Sequence, residues 1–250
     1  MKPLRIVAAL ALCIASACAH AVGRLADVRI EDRTTGRGLP VHWHDGRPYV
    51  IGQPGHEYRI AIRNRAGEDL LAVVSVDGVN ALSGATARAD QGGYVLAPWR
   101  RFEIAGWRKS LDEVAAFYFT SLGDSYAGRT QRPANVGVIG VALFRRAAPP
   151  APPIVQDIEG SIKDQRSSND AQRAKVLPSA AAPLATGHGR REESPVRYVE
   201  FERASAEPCE VVTIYYDSRA NLVAQGVIPG PRFAPRDPNP FPAGFVPDPR

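Results

Sequence analysis

The stretch from Glu57 to Gly84, EYRIAIRNRAGEDLLAVVSVDGVNALSG, restricts what this chain can fold into more than any other. In Glu57–Asn64, the apolar residues Tyr58, Ile60 and Ile62 alternate with Arg59, Ala61 and Arg63. Side chains two apart on a strand share a face, so this is a strand with one wet side. Asn64-Arg65-Ala66-Gly67 supplies turn chemistry, because Asn and Gly tolerate positive φ. Leu70–Val76 is apolar on both faces and rich in Val, as in a strand covered on both sides. Asp77-Gly78 then predicts a tight turn into a third short run.

Runs of the same kind recur at Ala26–Asp32, Leu39–His44, Arg47–Ile51, Gly93–Leu96, Arg101–Ile104, Ala115–Thr120 and Val136–Phe144. Ser110-Leu111-Asp112-Glu113 has the spacing of a capping box and predicts one or two helical turns. No strand–helix alternation of the kind that builds a parallel sheet is present, and no internal repeat. The expected fold is all-β: an antiparallel β-sandwich over residues 22–145.

Composition changes at Arg145. Ala147–Pro153 is rich in Pro and Ala, and no aromatic residue occurs from Arg145 through Arg197. Such a segment buries too little apolar surface to offset the cost of ordering, so residues 146–193 are expected to form a long disordered linker. Three strands are predicted after it, Val196–Arg203, Glu210–Asp217 and Leu222–Ile228. A meander this small is unstable alone, so residues 194–228 are expected to pack on the sandwich and complete it. Pro229–Arg250 is Pro-rich and predicts an extended tail.

Lys2 and Arg5 precede the apolar run Ile6–Ala15, and Ala19-His20-Ala21 follows. This is the pattern of a secretory signal over residues 1–21, cleaved before Val22, and it implies a periplasmic or secreted protein. A membrane-spanning helix needs about 20 apolar residues, and no stretch of the mature chain supplies them. A second reading makes Cys18 a lipidated residue, although the bulky aliphatic residue usual three places earlier is missing. Cleavage removes Cys13 and Cys18 and leaves Cys209, so no internal disulfide is expected. Cys209 reads as a small apolar side chain on a strand.

Loss of Lys2 and Arg5 lowers the formal net charge of +5 by two. That charge is mild, and no basic stripe with interleaved aromatics is present, so nucleic acid is not an expected partner. Gly123-Asp124-Ser125-Tyr126 has the GDS block of one esterase class. Its base is missing: the only later histidine, His188, has Ala185 three residues before it, and the block reads as a turn. His42 and His44 point the same way on a strand and could both ligate a metal, with Asp45 or His56 completing the set. A plainer reading makes them half-exposed residues of an edge strand. Thr186-Gly187-His188-Gly189-Arg190-Arg191 offers backbone N–H groups to an anion, but lacks the strand–loop–helix context of a phosphate loop. Trp99-Arg100-Arg101 and Trp107-Arg108-Lys109 join aromatic to basic side chains, a pairing suited to sugars or acidic polymers.

Val76-Asp77-Gly78-Val79-Asn80, Gly93-Tyr94-Val95-Leu96, Gly106-Trp107-Arg108, Phe117-Tyr118-Phe119 and Asn135-Val136-Gly137-Val138-Ile139-Gly140 resemble a group of exported bacterial β-rich proteins. Thr186-Gly187-His188-Gly189 and Tyr215-Tyr216-Asp217-Ser218 extend the resemblance into the C-terminal part. The resemblance implies no activity, since no member of known function is among them. The expected function is non-catalytic: binding or scaffolding of a cell-envelope polymer or protein, without a cofactor, through Trp99, Arg100, Arg101, Trp107 and Arg108. The alternative is a metal-dependent hydrolase using His42 and His44.

Overall fold

A computed structural model describes residues 21–148 and 182–230. The expected signal (apart from Ala21), residues 149–181 of the expected linker and residues 231–250 of the expected tail lie outside the described residues.

In chain order, β1 (Ala26–Asp32), β2 (Arg37–Gly38), β3 (Val41–His44) and β4 (Arg47–Ile51) come first. Then come β5 (Glu57–Asn64), β6 (Leu70–Val76), β7 (Val79–Asn80), β8 (Tyr94–Leu96), β9 (Arg101–Ile104), β10 (Gly106–Arg108) and β11 (Glu113–Ser121). A helical turn α1 (Tyr126–Arg129) and a 3-10 turn (Pro133–Asn135) lead to β12 (Val138–Arg145). The C-terminal part holds β13 (Leu184–Glu193), β14 (Glu210–Asp217) and α2 (Arg219–Ala224).

These strands form two seven-stranded sheets. One runs β10-β11-β5-β1-β2, with β13 also on β11 and β9 also on β5. The other runs β3-β4-β14-β12-β6-β7, with β8 also on β6. Pairing is antiparallel except between β14 and β4, which run parallel. The alternation in β5 does what the sequence predicts: Tyr58, Ile60 and Ile62 are buried inward. They meet Val74 and Val76 of β6, Ile139 and Val141 of β12, and Ile214 and Tyr216 of β14 in one core. Tyr58 stacks on Phe117 and Phe119 with ring centroids 5.4 and 4.4 Å apart, in the range where offset aromatic pairs attract. β6 is covered on its other face too, where Leu71 and Val73 pack with Phe144, Ala142, Val95 and Phe201.

Both residues of the Asp77-Gly78 turn have positive φ, 52° and 72°, as a two-residue hairpin turn requires. The turn also places Asp77 at a junction of both sheets. Its Oδ1 accepts from Gly137 N at 2.9 Å and from the Tyr216 hydroxyl at 2.6 Å, and its Oδ2 accepts from Thr186 N at 2.7 Å. The Thr186 hydroxyl lies 2.6 Å from that of Tyr216 and 2.7 Å from that of Tyr58. All four side chains are buried, so this chain of hydrogen bonds ties β13 and β14 to β5 and to the β6–β7 turn.

Four expectations are corrected. The expected linker ends early: Leu184–Glu193 is β13, paired along β11. It carries little apolar alternation because it packs backbone against side chains; a Cβ on Gly187 would fall 2.2 Å from the Tyr118 ring. The expected C-terminal meander contains a single strand, β14. Residues 194–209 run as an irregular strap, and Leu222 lies in α2, whose N-cap Ser218 accepts from Asn221 N. Ser110 caps a turn, accepting from Asp112 N and Glu113 N, but the chain goes directly into β11 instead of a helix. Cys209 is exposed just before β14, with its thiol on the Leu143 carbonyl at 3.0 Å.

Candidate functional site

Register on the outer face of the first sheet decides which charges meet. β1 and β5 set Asp27 opposite Arg63, Arg29 opposite Ala61 and Glu31 opposite Arg59. β9 adds Arg101 opposite Arg63 and Glu103 opposite Ala61. Four of these residues alternate in sign and neutralise one another. Arg59 reaches Glu31 and Glu103, both at 2.9 Å, while Arg101 reaches Glu31 at 2.6 Å and Glu103 at 2.9 Å. Asp27 is taken by Arg65 at 3.3 Å. Among the described residues, Arg29, Arg63 and Arg100 have neither an ion pair nor a side-chain hydrogen bond, and all three are exposed.

Those three arginines surround a depression of about 450 Å³ that also touches Asp27, Ala61, Trp99 and Arg101. Ala61 is the only small residue among the outward-facing partners, and the depression lies over it. Trp99 is 61% exposed and adopts φ of 60°. A bulky residue in the left-handed region carries strain, which the surrounding structure must hold in place. Asn64 does part of that holding. Fully buried, it donates to the Glu68 and Leu96 carbonyls at 2.8 and 2.9 Å and accepts from Ala66 N at 2.7 Å. Its own N–H donates to the Arg100 carbonyl at 3.0 Å. The β5–β6 and β8–β9 connections are thereby fixed to each other, with Trp99 and Arg100 at their edge.

The structure separates the residues that the sequence grouped. Trp99, Arg100 and Arg101 meet here, although Arg101 spends its charge on Glu31 and Glu103. Trp107 is corrected as a surface anchor: it is 3% exposed, stands edge-on to Phe117 at 5.1 Å and donates Nε1–H to the Gly187 carbonyl at 3.0 Å. Arg108 turns to a different groove, donating to the Ser194 carbonyl and hydroxyl. Arg29 and Arg63 were missed as partners. Their only sequence signal is that both are outward positions of amphipathic strands.

The histidines are dispersed. His42 and His44 lie on β3 opposite Tyr49 and Arg47. His56 is held by Asp32 at 2.7 Å; burial alone would raise the Asp32 pKa, but the bonds from His56, Thr35 and Thr34 with the charge of His56 together lower it. His188 stacks on Tyr126 at 5.9 Å, and burial lowers its pKa. Among the described residues, no group of three or more His, Cys, Asp or Glu is gathered as for a metal ion. Ser125 is a buried helix cap, donating to the Leu122 carbonyl at 2.7 Å and accepting from Gly128 N at 2.9 Å.

Comparison with protein families, with curated proteins and with solved structures finds no match to this chain.

Proposed function

We propose that this protein is an exported β-sandwich that binds an acidic cell-envelope polymer, without catalysis, at the patch of Arg29, Arg63, Trp99 and Arg100. The observation that carries the reading is the uneven use of charge on one face. Arg59, Arg65 and Arg101 are paired with carboxylates, while Arg29, Arg63 and Arg100 beside them are not. Guanidinium groups without internal partners offer planar, permanently charged forks to sulfate, phosphate or carboxylate. An exposed indole beside them gives a flat apolar surface for a sugar ring. Lys2 and Arg5 followed by Ile6–Ala15 and Ala19-His20-Ala21 supply the case for export.

Dextran sulfate, an acidic sugar polymer, is a suitable probe. The wild type should bind it, and the Arg29→Ala/Arg63→Ala/Arg100→Ala variant should lose at least about tenfold in affinity, since each charged hydrogen bond is worth about 1.5–3 kcal/mol. The arginines are exposed, so folding should be unaffected. A folded triple variant that binds like the wild type overturns the reading. So does stoichiometric zinc with an activity lost on His42→Ala and His44→Ala.

A further inference from the structure

A second concavity, of about 800 Å³, opens between the strap that follows β13 and the β8–β10 side of the sandwich. That volume falls within the roughly 300–1,000 Å³ of small-molecule sites. Its walls are largely apolar, with Phe102, Leu111 and Val196 among them. Its polar part is unusual. Tyr94 is 5% exposed, and its hydroxyl is shielded and without a hydrogen-bond partner among the described residues. Arg108 Nε, on the same groove, is shielded and unpartnered as well. Leaving such groups without partners is costly, and native structures rarely do so without cause. Arg108 gives one N–H of each terminal nitrogen to Ser194, and its Nε–H has no partner among the described residues. Burial raises the Tyr94 pKa, opposed by the charge of Arg108 and by the approach of its side chain to the hydroxyl, so the phenol keeps its proton and can still donate it.

The roof of the groove is weakly held. Val196 N donates to the Leu111 carbonyl at 2.8 Å, and the Glu200 carbonyl accepts from Arg146 at 3.2 Å. Between those two points the described residues give the strap no backbone hydrogen bond. Tyr198, at its middle, is 89% exposed. A strap fixed at two ends and free between them can lift to admit a ligand.

We infer that this groove binds a small amphiphilic carboxylate, with its apolar body under the strap and its carboxylate oxygens accepting from Tyr94 Oη–H and Arg108 Nε–H. Two donors side by side suit an oxygen-rich head group. Lys109 and Arg197, also on the groove, favour an anion over a neutral or cationic one, and the one acid, Asp69, is engaged by Arg146 at 3.0 Å. The site is distinct from the arginine patch, which lies on the outer face of the first sheet.

Calorimetry with decanoate tests this on the whole protein. Decanoate should bind saturably to the wild type, and decanol at least about tenfold more weakly. Tyr94→Phe removes a single unpartnered hydroxyl. It should leave the unliganded protein equally stable or slightly more so, and weaken decanoate at least about tenfold. Leu111→Glu puts an anion at the exposed rim, and should also weaken decanoate about tenfold. Retention of dextran sulfate by both variants would separate the two sites. No saturable decanoate binding by the wild type would overturn the inference. So would unchanged decanoate affinity in either variant.

Discussion

Asp77 is the residue at which folding and pH meet. Burial pushes its carboxyl up to about 6 from 3.8, despite hydrogen bonds from Tyr216, Thr186 and Gly137 that favour the charged form. In the unfolded chain it titrates at its ordinary value, so between the two values the folded protein holds the proton more tightly. Its stabilising contribution is therefore full below about pH 4 and falls by about 3 kcal/mol as pH rises to about 6. Asp77→Asn lacks this titration. It also sets an amide N–H₂ against the Thr186 N–H if its oxygen keeps Gly137 and Tyr216, a cost of about 1–3 kcal/mol. Urea unfolding of both proteins should give a wild-type-minus-variant difference in stability about 3 kcal/mol more positive near pH 4 than near pH 7. A gap independent of pH would place the titration elsewhere.

Strands were legible where alternation marks one wet face, or where a β-branched run marks a strand covered on both. β1, β5, β6, β9 and β14 begin and end where alternation or β-branched runs predict. β13 was not legible, because Thr186-Gly187-His188-Gly189 pairs through its backbone and fits under Tyr118 by having no side chain at Gly187. Capping residues misled in both directions. Ser110 caps a turn that enters a strand, while Ser218 starts a helix in a stretch whose Leu222 and Val223 read as strand. Close approach of backbones gives a test at this scale. A Cβ on Gly106 of β10 would meet the Ala115 carbonyl oxygen at 2.1 Å, whereas one on Gly123 would meet nothing within 4 Å. Gly106→Ala should cost about 1–3 kcal/mol by forcing β10 off β11. Gly123→Ala should change thermal stability by no more than about 0.5 kcal/mol. Equal effects of the two would mean that β10 and β11 are not held as described.

At the scale of the molecule, the C-terminal part is structural. β13 lies along β11, β14 lies between β12 and β4, and the Asp77 hydrogen bonds join both to the N-terminal strands. Residues 21–148 and 182–230, produced as separate chains and mixed, should therefore elute together from a sizing column without denaturant. Separate elution would show that they are independent. The same assembly explains what was legible of the site. Trp99, Arg100 and Arg101 are adjacent in sequence and stand out as a group. Arg29 and Arg63 join them only through the β1–β5 and β5–β9 registers, which no local pattern specifies. The central claim, that unpaired arginines on this face bind acidic polymer, is tested most directly by salt dependence. The logarithm of the dextran sulfate binding constant, plotted against the logarithm of salt concentration, has a slope that counts the counterions released by contacting cations. The account predicts a slope shallower by about two to three for the Arg29→Ala/Arg63→Ala/Arg100→Ala variant than for the wild type. The same slope and affinity in both proteins would contradict it.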